Sequence, residues 1–324
     1  MFRFLIRRLL WAVFLFIAVT LVTYVIFFLA PANPERVICG GERARPDCLA
    51  TARKELALDK PIIVQYGRFL ERLVIDRSLG KSYVTEQKVN TIVRDAAPVT
   101  ASLVFGGAVL WMMIGLGVGI LSALRPRSLT DRAAMVFVLI GVSAHPIWIG
   151  LIFSYFFGAK LGWTPITGYC DAISPPQGLG CGGLVDWAHH MILPWATFAI
   201  LFSALYVRMV RANVLETMNE DFVRTARAKG APESRVMRSH ILRNALLPVV
   251  TMLGMDIGIA LGGAIFTETI YTLPGLGRRA VVAVDQYDLP IVQGIVVFST
   301  LAIIVFNLVV DILYAWIDPR IRLE

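Results

Sequence analysis

Residues 9–30, LLWAVFLFIAVTLVTYVIFFLA, decide the fold, because they run for 22 residues without a charged side chain. A helix of about 20 apolar residues is long enough to cross the hydrocarbon core of a bilayer, which is roughly 30 Å thick. Arg3, Arg7 and Arg8 precede the run and predict an N-terminus on the cytoplasmic side. The run is too long for the core of a signal peptide, so we interpret it as a retained first transmembrane helix.

Five further apolar runs, at residues 98–124, 133–157, 187–207, 245–270 and 290–316, predict about six transmembrane helices in all. Hydrophobic residues make up 57% of the 324 residues, more than a soluble domain contains. We therefore predict an all-α membrane protein with both termini in the cytoplasm. The predicted segments are a tail with the first helix (1–30), an extracytoplasmic loop domain (31–97), a five-helix core (98–316) that includes a cytoplasmic loop (208–244), and a cytoplasmic tail (317–324).

The net charge of +8 has a topological explanation. Arg125, Arg127 and Arg132 fall in a short turn that this topology places inside the cell, and the loop 208–244 and the tail are basic as well. Cytoplasmic segments beside transmembrane helices are enriched in Lys and Arg, which also meet anionic lipid. The charge therefore predicts contact with membrane lipid and no nucleic-acid partner.

All four cysteines fall in two predicted external loops. Cys39 and Cys48 lie in the first of these loops, and Cys170 and Cys181 lie in the second. Four thiols on the oxidising side of a membrane favour two disulfides, with Cys39 paired to Cys48 and Cys170 to Cys181, although three connectivities are possible. A zinc site is the alternative, but no Cys-x-x-Cys or His pair at ligand spacing accompanies these cysteines.

No nucleotide-binding motif is complete in the sequence. Gly80-Lys81-Ser82 matches the end of a phosphate-binding loop, but Ile75 stands where that motif needs its first glycine. Gly115, Gly117 and Gly119 lie inside an apolar run, where small residues permit close helix packing. The sequence therefore predicts no catalytic, cofactor or metal site on this chain.

The loop at residues 219–248 contains, in order, residues that typically begin and end short helices. Asn219 or Asp221 can cap a short helix, Gly230 can end it in the left-handed conformation, and Pro232 fits the first turn of a second helix. The short helix has an apolar face bordered by basic residues, a pattern that suits binding in a groove on another protein. The alternative is that this segment is a basic loop lying on anionic lipid. The residues that we expect to form this docking site are Asp221, Phe222, Arg224, Thr225, Ala226, Arg227, Lys229 and Gly230.

Several motifs in order resemble those of the membrane permease subunits of dipeptide, oligopeptide and nickel ABC importers. They are RTARAKG (224–230) and RNALLP (243–248), followed by ETIYTLPGLG (268–277) and DILYAWIDPR (311–320). The resemblance covers nearly the whole chain and implies a type I ABC importer permease. ABC importer permeases generally carry Glu-Ala-Ala before this glycine, whereas this chain has Arg224-Thr225-Ala226, so the resemblance implies docking by residues 221–229 and not a salt bridge from that Glu.

The resemblance also implies partners and a location. One or two cytoplasmic ATPase subunits would bind ATP and Mg²⁺, a second homologous permease would complete the pathway, and an extracytoplasmic binding protein would deliver the substrate. The location would be a bacterial inner membrane. We expect a peptide substrate, with a nickel chelate or another small solute as the alternative. A self-sufficient secondary transporter is a different class, but its internal repeat is not evident here.

Two acidic residues in the fifth apolar run need an explanation, because a charge at mid-bilayer costs about 2.5–3.5 kcal/mol on insertion scales. Asp256 lies deep in the run and is a candidate to line the pathway or to bind a substrate amine; a hydrogen bond to a neighbouring helix or to the partner permease is the alternative. Glu268 is a second pathway candidate, but its place near the end of the run also suits local pairing.

Overall fold

A computed structural model describes residues 2–29, 35–36, 39, 45–55, 60–173 and 180–317. Within these ranges the secondary structure is helical, apart from two isolated β-bridges. Numbered along the chain, the helices are α1 (Phe2–Leu29), α2 (Pro46–Glu55), α3 (Ile62–Val74), α4 (Val89–Leu124), α5 (Leu129–Ser143), α6 (Pro146–Phe153), α7 (Leu184–Met218), α8 (Asp221–Ala228), α9 (Glu233–Arg235), α10 (Arg243–Ala245), α11 (Leu247–Ile270), α12 (Leu276–Asp285) and α13 (Leu289–Ile317). A π-helix, Ser154–Lys160, continues α6, and a second one, Val236–Leu242, joins α9 to α10.

The described helices supply four to six candidate membrane spans. Four are single helices long and apolar enough to cross a bilayer: Ile6–Ile26 within α1, then α4, α7 and Leu289–Val309 within α13. Two are bent pairs of helices: α5 with Pro146–Lys160, bent by 108°, and Glu233–Ala245 with Leu247–Gly262, bent by 42°. The predicted all-α architecture is therefore confirmed, and the number of spans agrees with the prediction when each bent pair is counted as one span.

The third span is broken at His145 and Pro146. Ala144 ends α5 in an extended conformation, and Pro146 opens α6 at a position where its missing N–H costs nothing. Nδ1 of His145 accepts a hydrogen bond of 3.3 Å from the backbone N–H of Ile147, so the imidazole caps the new helix. The His145 ring also lies edge-on to Phe266, with the ring centroids 5.3 Å apart.

The chain forms two compact units. The first consists of Met1–Thr100 and Pro274–Glu324, and the second is Ala101–Leu273. The last helix, α13, therefore belongs with α1 and α3, whereas the division drawn from the sequence placed it in a core with the other four later spans.

In the first unit, α1, α3 and α13 share an aromatic cluster. Tyr66 and Phe69 of α3 are buried beside Val297 of α13, and Tyr24 of α1 packs against them. The Tyr66 and Thr20 hydroxyls are 2.8 Å apart and share a hydrogen bond. The loop domain is thereby fastened to the first span.

A short hairpin of the first unit, closed by a bridge between Lys81 and Lys88, is anchored by Asp288. The Asp288 side chain is fully buried and accepts a hydrogen bond from the Ser82 hydroxyl. It also accepts from the backbone N–H of Tyr83 at 3.1 Å and from that of Val84 at 3.4 Å. A single carboxylate therefore holds the loop before α4 to the start of α13.

In the second unit, α4 packs closely on α7 through its glycines. A Cβ added at Gly115 would lie 2.5 Å from Cβ of Tyr206, and one added at Gly119 would lie 2.8 Å from Cβ of Val210. Any larger side chain would force the helices apart, which confirms a packing role for these two glycines. Gly117 has no neighbour within 4 Å of an added Cβ, so it does not share that role.

Candidate coupling surface and pathway residues

The short helix expected in the loop 219–248 is present as α8, but its start differs from the prediction. Glu220 is the N-cap residue, and no side chain caps the helix. Asn219 instead ends α7, and the Asp221 carboxylate lies 3.6 Å from the Arg224 guanidinium. The predicted capping by Asn219 or Asp221 is therefore wrong, because the two helices follow each other too closely for either side chain to cap α8.

The end of α8 follows the prediction. Gly230 has a φ of +77°, in the left-handed region that glycine adopts without strain. The backbone N–H of Ala231 donates a 3.2 Å hydrogen bond to the carbonyl of Ala226, which satisfies one of the open carbonyls at the helix end. Pro232 then precedes α9 in an extended conformation. The helix, glycine turn and helix are thus present, and we refer to residues 221–245, from α8 to α10, as the coupling bracket.

The apolar side of α8 faces its own chain. Val223 has no exposed surface and Ala226 is 9% exposed. α8 packs on the π-helix Val236–Leu242, whose Val236 and Ile241 are also buried. Ala226, which the sequence assigned to the docking surface, and its neighbour Val223 therefore fix α8 within the bracket and are not available to a partner.

The remaining docking candidates are exposed. Phe222 is 42% exposed, an unusual position for a large aromatic side chain in a polar loop. The Arg224 side chain is 71% exposed, and Thr225 and Lys229 are exposed as well. We refer to Phe222, Arg224, Thr225 and Lys229 as the coupling surface: one aromatic side chain, two cations and a hydroxyl.

Arg227 is exposed as well, and it joins α8 to α9 through an ion pair with Glu233. Its Nε and Nη2 donate hydrogen bonds of 3.1 and 2.6 Å to the two carboxylate oxygens of Glu233. These bonds to Glu233 raise the pKa of the Arg227 guanidinium, which therefore stays charged at every physiological pH. Arg227, expected in the docking set, therefore forms an exposed ion pair within its own chain, and its part in docking stays a prediction.

Asp256 is held by a neighbouring helix. The Tyr206 hydroxyl of α7 donates a 2.8 Å hydrogen bond to Oδ2 of Asp256 in α11, and Asp256 is 8% exposed. Of the two explanations left open by the sequence, the geometry favours the hydrogen bond between helices over a pathway lining. Tyr206 was missed because its position, one residue among many apolar ones in a span, carries no local signal.

Glu268, the second pathway candidate, has no exposed surface. It lies two residues before the end of α11, and its backbone carbonyl accepts a 2.9 Å hydrogen bond from the N–H of Leu273. A side chain with no exposed surface does not face an open passage in this conformation. The position near the helix end agrees with local pairing.

The structure joins Cys39 to Cys48 and Cys170 to Cys181. A ring nitrogen of His190 and the sulfurs of Cys170 and Cys181 lie within 4.8 Å of one another. Metal ions bind thiolates, and disulfide-bonded sulfurs carry no such charge. In the oxidised form these three residues therefore do not constitute a metal site.

Comparison with known families gives two matches that together cover nearly the whole chain. Residues 115–323 match the family described as binding-protein-dependent transport system inner membrane component. Residues 1–104 match the N-terminal family of such membrane components.

Several known peptide permeases are similar to this chain over nearly its entire length. The chain is 38% identical to a di/tripeptide transport system permease protein, DppB, of Pseudomonas aeruginosa and 35% identical to the dipeptide transport system permease protein DppB of Escherichia coli, with 99% of each chain covered in both cases. It is 34% identical to a putative peptide transport system permease protein of Brucella abortus, with 98% of both chains covered.

Two solved structures share the fold. Both are inward-facing structures of the MetNI methionine ABC transporter, at 17% sequence identity. The TM-scores are 0.54 and 0.55, and the matches cover 71% and 70% of this chain and 97% of each matched chain. At this identity the similarity establishes the fold alone, that of a type I ABC importer permease.

Proposed function

The chain belongs to the family of binding-protein-dependent transport system inner membrane components, and on that basis we propose that it is one of two permeases in an ATP-driven importer of short peptides. The observation that carries the proposal is the identity of 34–38% to peptide permeases over almost the entire length of both chains. A match of this extent includes the spans, the loop domain and the coupling bracket together.

The coupling surface supports docking to a separate ATPase subunit. Phe222 offers an aromatic anchor of the kind that dominates many interfaces, and Arg224 and Lys229 flank it with positive charge. Val223 and Ala226 hold α8 to the rest of the bracket, so a force on the exposed side is transmitted to the chain. ATP and Mg²⁺ would be bound by that ATPase.

The charge pattern supports an orientation in an inner membrane. The turn between α4 and α5 carries Arg125 and Arg127, and the bracket after α7 is basic, so both belong on the cytoplasmic side. The termini would then be cytoplasmic, and both disulfides and the hairpin at Lys81–Lys88 would face outward, where a binding protein delivers the substrate.

Transport would follow alternating access. ATP binding draws the two α8 helices of a permease pair together, and the spans change from an inward-open to an outward-open arrangement. Only Asn219 and Glu220 separate α7 from α8, and their backbone N–H groups donate to carbonyls of α7 at 3.0 and 3.2 Å. The short junction keeps a displacement of α8 from being lost in a flexible loop.

The test of ATP-driven peptide import is uptake by proteoliposomes that contain this chain, its partner permease, the ATPases and the binding protein. We expect uptake of the dipeptide alanyl-phenylalanine that needs ATP and ceases with a hydrolysis-deficient ATPase. Uptake without ATP would contradict the proposed ATP-driven import. Uptake of a nickel chelate in place of the dipeptide would contradict the proposed peptide substrate.

The docking site is tested with Phe222→Ala. Truncating a central aromatic anchor weakens an interface by about 2 kcal/mol or more, roughly a 30-fold rise in Kd. Ile173→Ala is the matched control, because Ile173 is also an exposed apolar residue but lies in the loop between the third and fourth spans. Equal affinity of both variants for the ATPases would place the docking site elsewhere.

A further inference from the structure

One buried carboxylate lies where three segments of the second unit meet. Asp131, in the first turn of α5, is 5% exposed and accepts a hydrogen bond from the Ser122 hydroxyl of α4. It accepts a second, of 2.8 Å, from the backbone N–H of Arg127 in the turn between the helices. α4, the turn and α5 are thereby tied together.

Arg211 of α7 completes this arrangement. Its Nε donates to Oδ1 of Asp131 at 2.6 Å and its Nη2 donates to Oδ2 at 2.9 Å. Two parallel charge-assisted bonds fix both the distance and the orientation of the partners, which a single point contact does not. The Asp131 carboxylate is buried, so removing Arg211 would leave a buried charge without its partner and destabilise the protein.

Arg211 lies close to the coupling bracket in the chain. It precedes the first residue of α8 by ten positions, and two residues after it the amide of Asn213 donates a 3.3 Å hydrogen bond to the carbonyl of Ala245. One turn of α7 therefore contacts Asp131 at the start of α5 through Arg211 and the carbonyl of Ala245 through Asn213.

We propose that Asp131 and Arg211 are a positioning pair, which makes the α4–α5 turn, the end of α7 and the coupling bracket move as one body during ATP-driven transport. The inference rests on the proposed docking of α8 to an ATPase. Without the pair, a displacement of α8 would still reach α7 but would no longer carry the α4–α5 turn with it, so that ATP would be hydrolysed with less substrate moved.

The test compares Arg211→Lys and Asp131→Asn in the reconstituted importer, with Arg208→Lys as the control. Lysine keeps the charge of Arg211 but cannot form two parallel bonds. Arg208 is exposed on the same helix, one turn earlier. For the two pair variants we expect unchanged assembly with the ATPases, near-normal hydrolysis, and about tenfold less alanyl-phenylalanine transported per ATP, within the range by which remote substitutions change coupling. The control keeps the wild-type ratio.

An unchanged ratio of transport to hydrolysis in both pair variants would overturn the proposal. A parallel loss of assembly, hydrolysis and transport would also overturn it, since this is the result of a pair that serves folding alone.

A second measurement does not depend on the ATPases. Spin labels at Arg125→Cys and Arg224→Cys report the distance between the α4–α5 turn and α8 in the permease pair, and the native cysteines, being disulfide-bonded, do not react. We expect one narrow distance distribution in the wild-type background and a broadened one with Arg211→Lys. An equally narrow distribution in the variant contradicts the positioning role, whereas failure of wild-type ATPase binding would contradict only the proposed docking.

Discussion

The Tyr206 hydroxyl donates a 2.8 Å hydrogen bond to the carboxylate of Asp256, which joins α7 to α11 inside the second unit. Tyr206 has no exposed surface, and its Cβ lies where a side chain at Gly115 would have to be. The phenol is therefore held by packing at the position from which it reaches Asp256. The most conspicuous acidic residue of the spans is thus engaged in a contact between helices.

Removing the Tyr206 hydroxyl should destabilise the protein. Tyr206→Phe leaves a buried carboxylate without this donor, at a cost of about 1–3 kcal/mol. Thermal unfolding in lipid nanodiscs measures the loss. Tyr155→Phe is the control, because Tyr155 is 53% exposed and its hydroxyl can remain in contact with solvent or headgroups. Equal stability of the two variants would show that the bond to Asp256 contributes nothing.

The left-handed turn at Gly230 should be required for coupling. Gly230→Val places a β-branched residue at a φ of +77°, at a cost of about 1–3 kcal/mol, so that the turn changes conformation and α8 is displaced. We expect strongly reduced ATP-dependent uptake by reconstituted liposomes. Gly230→Asn is the control, because asparagine tolerates this region, and it should retain most of the uptake. Full uptake with valine would show that the turn geometry is not needed.

Asp288 should control the order of the hairpin before α4. In Asp288→Ala the N–H groups of Tyr83 and Val84 lose a charged acceptor, and such bonds contribute about 1.5–3 kcal/mol each. Hydrogen exchange of the amides at residues 82–88 should become faster. Asp285→Ala, an exposed residue at the end of α12, is the matched control and should leave these rates unchanged. Unchanged exchange in Asp288→Ala would contradict the anchoring role.

The cysteines provide a test of the orientation. In intact spheroplasts a membrane-impermeant maleimide should label no residue of the native chain before reduction and all four cysteines after it, because the proposed topology places both disulfides outside. A cysteine introduced at Arg125 should react only after the membrane is permeabilised. Labelling of Arg125→Cys in intact spheroplasts would reverse the proposed topology.

The spans and the left-handed turn could be predicted from the sequence because their causes are local. An apolar run of 22 residues and a glycine placed before Ala231-Pro232 carry their own signal. Which side of α8 faces a partner could not be predicted, since Val223 and Ala226 are buried by a π-helix that begins ten residues after Ala226. A short amphipathic helix is compatible with burial against its own chain or against another.

Contacts between residues far apart in the chain could not be predicted from the sequence for a similar reason. Asp131 follows Ser128 by three positions and has the pattern of a residue in an ordinary first helical turn, whereas its principal partner, Arg211, comes 80 residues later. Asp288 and Tyr83 are separated by 205 residues. Only the folded arrangement of the helices shows which groups bind these two carboxylates.

The length of α7 has a consequence for where the two proteins of the importer meet. Its 35 residues extend over about 52 Å at 1.5 Å per residue, against a hydrocarbon core of roughly 30 Å, so the helix continues well beyond the lipid. In the proposed topology α8 follows the cytoplasmic end of α7, so an extension of α7 at that end would place α8 in the aqueous phase, past the headgroups. The proposed contact between the ATPase and the permease would then transmit mechanical work outside the bilayer, where the composition and thickness of the lipid have little influence on it.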